Sequence, residues 1–193
     1  MDLAVVVRPT LPPERIAEQA KAAEAAGASE LWLWEDCFLT GGIAEWMHQV
    51  GAKPASQLTL LEEVTVAVRA LLRGETVETE GRYVRLRGVA LDHPPAIVPP
   101  VSLGVRGPKS LRLAGRHADG TVLDGSADPH GVAAARSTID AGRSEAGRTD
   151  PHRLTVFAEP DANRDVLAAA GADCLVFVSP DETAPLDLTQ VFP

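Results

Sequence analysis

Long apolar runs are missing from this sequence. Runs such as Leu3 to Val7, Leu31 to Trp34 and Leu175 to Val178 fall far short of the roughly 20 residues a membrane-spanning helix needs. No membrane partner is expected. The first residues, Met1-Asp2-Leu3, carry no basic stretch ahead of an apolar one, so no secretory leader is expected and a cytoplasmic location is. Basic residues are outnumbered, 18 Lys and Arg against 27 Asp and Glu, and the formal net charge is −9. No run of Lys or Arg compensates locally, which excludes a nucleic-acid partner because phosphate backbones demand a concentrated positive face. There are only two cysteines, Cys37 and Cys174, and neither lies in a Cys-x-x-Cys pair. Both read as buried small hydrophobes in a reducing compartment. The five histidines (His48, His93, His117, His130, His152) lack the i, i+4 spacing of a metal-binding helix. They read as surface or capping residues, and no metal is expected. No Gly-x-Ser-x-Gly, phosphate-loop, dinucleotide-fold or cysteine-rich motif is present.

What is present is an ordinary globular balance, 45% hydrophobic and 23% charged residues over 193 positions, which fits one domain spanning residues 1–193. Short apolar runs alternate with segments of helical period, the βαβ pattern of a parallel sheet. Strands are expected near Leu3, Leu31, Val101, Thr121, Leu154 and Cys174. Glu14 to Ala26 reads as an amphipathic helix closed by Gly27. Leu60 to Arg73 reads as another, with Thr59 and Glu62 forming a capping box, Gly74 closing it, and Leu61, Val64, Val68, Leu71 and Leu72 on the buried face. Glu75 to Leu91 alternates apolar and polar residues around Gly81 and reads as a surface hairpin. The prolines from His93-Pro94-Pro95 to Pro99-Pro100 mark an extended connector. Pro108 and Asp128-Pro129 open two further helices, the second burying Val132, Ala135 and Ile139. A helix–Gly–strand joint recurs at Ala26-Gly27-Ala28, Ala114-Gly115 with Ala118-Asp119-Gly120, and Ala170-Gly171-Ala172. The expected fold class is α/β, a TIM-barrel-like (β/α) fold with about six parallel strands plus a β-hairpin insertion. A complete barrel takes about 250 residues, so the barrel is incomplete. Either its sheet is open or a partner closes it.

Two stretches carry a family resemblance. One is Leu31-Trp32-Leu33-Trp34-Glu35-Asp36-Cys37-Phe38. The other runs from Trp46-Met47-His48-Gln49-Val50-Gly51-Ala52, through the Thr59 helix and Gly81-Arg82-Tyr83-Val84, to Gly104-Val105-Arg106-Gly107-Pro108-Lys109-Ser110-Leu111-Arg112-Leu113-Ala114-Gly115 and Ala118-Asp119-Gly120. These resemble the luciferase-like monooxygenases, particularly their deazaflavin-dependent branch. Relative to that family, the helix, strand, helix and strand expected between residues 44 and 45 are missing, and with them one wall of the flavin pocket.

The resemblance implies an oxidoreductase or monooxygenase that exchanges hydride with a small organic substrate, using the deazaflavin coenzyme F420 or FMN. It implies that Gly104, Val105, Arg106, Gly107 and Pro108 cradle the cofactor phosphate, with Lys109 adding charge. From spacing alone the plainer reading of the same segment is a tight strand–helix turn with no ligand. Glu35 and Asp36 follow the second strand, on the rim where barrel enzymes place their chemistry, and are the candidate general acid or base, against helix capping or a surface pair as the plainer reading. Asp124 and Glu159 occupy comparable strand ends. Trp34 is a candidate to stack on the cofactor ring, against core packing as the plainer reading for Trp32, Trp34 and Trp46. The alternative is a non-catalytic family member that keeps the scaffold and acts through association. Uncovered sheet edges or helix faces point to a homodimer under either reading.

Overall fold

A computed structural model describes residues 1–7, 11–33, 47–124, 128–180 and 184–192. Six strands run parallel: β1 (Asp2–Val7), β2 (Glu30–Leu33), β5 (Ser102–Gly104), β6 (Gly120–Leu123), β7 (Arg153–Ala158) and β8 (Cys174–Phe177). Their order across the sheet is β2-β1-β8-β7-β6-β5. This is the cyclic order of a barrel cut open between β2 and β5, the two sheet ends. The intervening β3 (Val77–Glu80) and β4 (Arg85–Val89) form a separate antiparallel hairpin. Among the described residues the full helices accompanying them are α1 (Pro13–Ala25), α2 (Gln57–Leu72), α3 (Pro108–His117), α4 (Pro129–Glu145), α5 (Arg164–Ala169) and α6 (Leu188–Val191). The six expected strands and the hairpin are all present. The 44–45 junction lies outside the described residues.

The sheet curls as a barrel does. Trp32 on β2 and Phe157 on β7 are separated by two strands, which in a flat sheet sets them about 14 Å apart. Their ring centroids lie 5.8 Å apart with planes at 84°, the edge-to-face arrangement aromatic pairs favour. Beneath them Ala4, Val6, Cys174 and Val176 fill the concave face. Lower on the same face Arg153 bridges from β7 to Asp2 on β1, at 2.9 Å, and to Glu30 on β2. The convex face carries the larger core, where Val5, Leu154, Val156, Leu175 and Phe177 meet Leu113, Val132, Ile139 and Leu167 of the helices.

The tightest helix contact is α3 on α4. A Cβ at Gly115 would meet the Ile139 carbonyl oxygen at 2.2 Å, and one at Gly142 would meet the Arg112 carbonyl oxygen at 2.2 Å. Glycine is needed at both positions so that the two backbones can touch. Gly27 and Gly74, with φ of +93° and +77°, end α1 and α2 in the left-handed conformation glycine adopts without a Cβ penalty.

The recurring helix–Gly–strand joint has a physical basis at the sheet's lower rim. Asp119 accepts the Val101 amide at 2.9 Å, and Asp173 accepts the Leu154 amide at 2.7 Å. Each carboxylate thus ties the start of its own strand to the start of the strand beside it. Each is also held by arginines: Asp119 by Arg69 and Arg148, Asp173 by Arg136. Burial pushes the Asp119 carboxyl up, but the Val101 amide and Arg69 outweigh it and hold the group below its ordinary value.

Three expectations are corrected. Ser56, not Thr59, caps α2, accepting the Thr59 amide at 3.2 Å. The helix therefore starts a turn earlier, and Glu62 turns away to bond the His117 Nε2 at 3.0 Å. Val64 and Val68, placed on the buried face of α2 by periodicity, are 40% and 39% exposed, while Thr65, Ala67 and Ala70 are buried. His152, read as a surface residue, is buried and pairs with Thr121 at 2.9 Å. Cys174 is buried as expected, and burial raises its thiol above the ordinary range. Cys37 lies outside the described residues.

Candidate functional site

The upper rim of the sheet, where the strands end, brings together β5, β6 and the first turns of α3 and α4. Gly104 is the last residue of β5. Its register through Val122 and Thr155 to Cys174 puts it on the concave face. It is exposed, and a Cβ built on it would meet nothing within 4 Å. Gly107 has φ −80° and ψ 152°, an extended conformation open to any residue, and a Cβ there would meet only the Ser110 Oγ at 3.6 Å. Neither glycine is explained by its backbone or by its neighbours among the described residues. Both leave open the close approach of another molecule.

Gly107 is also the N-cap of α3, and no side chain caps that helix. Pro108 supplies a preset φ and has no amide hydrogen to leave unpaired. The next amides, those of Lys109 and Ser110, point out of the helix end with its partial positive charge. α1 likewise has no side-chain cap, whereas side chains cap α2, α4, α5 and α6, from Ser56, Asp128, Asn163 and Asp187. Of the segment 104–109, only Val105 is buried, anchoring the loop through its amide to the Val122 carbonyl at 3.2 Å.

Beside this loop lies a cleft of about 390 Å³, bordered by Arg106, Pro108, Leu123, Asp124, Gly131 and Thr138 among others. At its lip Arg106 and Asp124 form a two-pronged ion pair. Nε donates to Oδ1 and Nη2 to Oδ2, both at 2.7 Å. The guanidinium holds the Asp124 carboxyl below its ordinary value, and the carboxylate in turn raises Arg106. The partnership of Arg106 with Asp124 escaped the sequence reading. The signal for it is that each lies two residues past paired positions, Gly104 and Val122, on neighbouring strands.

Of the remaining candidates, Lys109 and Glu159 are not brought to this cleft. Lys109 is exposed on the first turn of α3, and Glu159 is exposed beyond β7. Trp34, Glu35 and Asp36 follow β2 in the chain and lie outside the described residues. Trp32 packs edge-on against Phe157, the core role. Among the described residues no cluster of His, Cys, Asp and Glu is arranged to hold a metal, and no helix is long and apolar enough to cross a membrane.

The family model for luciferase-like monooxygenases matches residues 39–170, which takes in the hairpin, the rim loop and α3 to α5. The chain belongs to the luciferase-like monooxygenase family. Among curated relatives, the 5,10-methylenetetrahydromethanopterin reductase of Archaeoglobus fulgidus is 28% identical over 130 residues, 67% of this chain and 39% of that protein. The same enzyme of Methanolobus tindarius is 36% identical over 101 residues, 52% of this chain and 30% of that one. The F420-dependent hydroxymycolic acid dehydrogenase of Mycobacterium tuberculosis is 34% identical over 134 residues, again 67% of this chain and 36% of its own length. The chain therefore spans only about a third of these relatives. Among solved structures, the coenzyme F420 dependent tetrahydromethanopterin reductase from Methanopyrus kandleri superposes with a TM-score of 0.70 at 15% identity, covering 100% of this chain and 98% of that one. An F420-dependent secondary alcohol dehydrogenase gives 0.62 at 14% identity, also covering 100% and 98%. At such identities these two structures establish the fold, a TIM-barrel-like one.

Proposed function

We propose that this luciferase-like chain binds the phosphate-bearing tail of a deazaflavin at its upper rim and acts as an F420-dependent oxidoreductase on a small organic substrate. The observation that carries the reading is the Gly104–Pro108 loop. Nothing among the described residues crowds its two glycines or requires them to lack a side chain, and it opens a helix whose first amides have no side-chain cap. Relatives named as F420-dependent enzymes favour the deazaflavin over FMN. In this reading the backbone amides of Gly107, Lys109 and Ser110 meet the phosphate, Arg106 and Lys109 supply positive charge, and Trp34 lies against the ring. The bound cofactor supplies the hydride chemistry. The chain orients it and, through Glu35 or Asp36, holds the proton that accompanies transfer.

The test is a fluorescence titration of purified protein with coenzyme F420 and, separately, FMN. F420 is expected to saturate at micromolar concentration, with Arg106→Ala weakening it about tenfold, as loss of a charged hydrogen bond predicts. Protein that leaves the emission of both cofactors unchanged at tens of micromolar refutes the assignment.

A second reading rests on the exposed apolar residues: Leu33 at 65%, Val66 at 47% and Ile97 at 88%, together with Val64 and Val68. With β2 and β5 left as sheet ends, these surfaces favour self-association to a homodimer. A family member lacking cofactor would then act through association alone. Sedimentation velocity with a single monomer boundary at tens of micromolar excludes this second reading.

A further inference from the structure

The Arg106–Asp124 pair presents a conflict with simple anion binding at the rim. Arg106 immediately precedes the Gly107 N-cap of α3, yet both prongs of its guanidinium are already taken by a carboxylate. The local charge of the pair is zero. An anion arriving at the Gly107 end of α3 meets helix amides but, among the described residues beside it, no free guanidinium. The pair is also easily opened. Its side chains are 71% and 54% exposed, and exposed ion pairs contribute no more than about 1 kcal/mol.

We propose that Asp124 is a positioning residue of the rim: it holds Arg106 at the lip of the cleft while no ligand is bound and gives way when a phosphate takes over the same two guanidinium N–H groups. The proposal rests on the phosphate-cradle reading given above and adds to it a resident competitor within the chain. Carboxylate and phosphate both present two oxygens at the spacing the planar guanidinium fork accepts, so the exchange conserves both hydrogen bonds. It needs only a change of side-chain rotamer at Asp124. The consequence is a discount on the affinity for any anion that takes over the Arg106 guanidinium.

The sign of the Asp124→Asn effect separates this from a purely structural role. A residue that merely supports the loop weakens binding when altered. A competitor strengthens it. Inorganic phosphate is titrated calorimetrically into the protein at low ionic strength and pH 7.5. Asp124→Asn is expected to bind about fivefold more tightly than the unaltered chain, the value an exposed pair of this strength implies. The gain should vanish in the Arg106→Ala background, because the competitor then has nothing to release. Asp124→Ala, which removes the carboxylate without leaving an amide, is expected to give the same gain and guards against a folding defect in one variant. Equal or weaker phosphate binding by both Asp124 variants overturns the proposal while leaving the cradle standing. A gain that persists without Arg106 also overturns it, reducing the effect to overall charge. Absence of phosphate binding in every variant, at concentrations up to tens of millimolar, removes the cradle and the proposal together.

Discussion

Replacing His152 by Gln should change how this protein's stability depends on pH. His152 sits at the start of β7 with its Nε2 on the Thr121 hydroxyl, while its Nδ1 is buried without a partner among the described residues. Burial lowers its pKa to about 4, and the nearby cations of Arg143, Arg136 and Arg148 push in the same direction against an opposing backbone contact at Ala118. The folded chain therefore keeps a neutral imidazole, whereas the unfolded chain takes up a proton near pH 6.5. Between those two values the unfolded state binds a proton that the folded state refuses, so stability falls as the pH falls. Above pH 6.5 the group contributes no pH dependence. At pH 4.5 the loss works out to about 2.5 kcal/mol, two pH units below the free value at 1.36 kcal/mol per unit less the small fraction protonated in place. Glutamine keeps a hydrogen-bonding side chain but cannot titrate. The assay is urea unfolding of both proteins at pH 7.5 and pH 4.5. The unaltered chain should be the more stable at pH 7.5, by about 1–2 kcal/mol for the packing and hydrogen bond lost. That gap should close or reverse at pH 4.5. Carboxylates held low by arginines, such as Asp150 at about 2, titrate alike in both proteins and cancel. A stability gap that stays constant between the two pH values would refute the assignment of His152 as a buried neutral group.

Two further outcomes follow from packing and turn geometry. Gly142→Ala adds a Cβ where the Arg112 carbonyl oxygen lies 2.2 Å away. Forcing α3 from α4 should reduce stability by about 2–3 kcal/mol in urea unfolding despite the helix-favouring change, and a neutral or stabilising result would contradict the close crossing. Glu63→Gln removes a carboxylate that accepts the Arg82, Tyr83 and Val84 amides at 2.7 to 2.8 Å, bonds that hold Glu63 below its ordinary pKa. Hydrogen exchange at those three amides should accelerate at pH 7 while the β7 and β8 amides stay protected, and unchanged exchange at the hairpin would refute the role.

The family could be recognised in the chain because its motif residues are local. Gly104 to Gly115 and Ala118-Asp119-Gly120 are short contiguous runs, legible without knowing which distant elements they meet. Asp119 shows how such a motif misleads about role. The residue stands out in the sequence, yet in the fold it ties β5 to β6 at the rim opposite the cleft, a structural task.

Short-range physics determined the rest of what the sequence alone specified: six strands, their helices, the hairpin around Gly81, the glycine stops and the Asp128 cap. Each depends on periodicity or on contacts within a few residues. Tertiary structure decided what depends on neighbours distant in the chain. Periodicity identified the apolar stripe of α2 but not that Val64 and Val68 would lack a covering element. Nothing local to His152 says that α4 buries it beside three arginines. The pairing of Arg106 with Asp124, 18 residues apart, arises only because β5 and β6 lie side by side and end together. Sequence specifies which residues prefer which backbone shape. Which side chains share a rim is set by the register of the sheet.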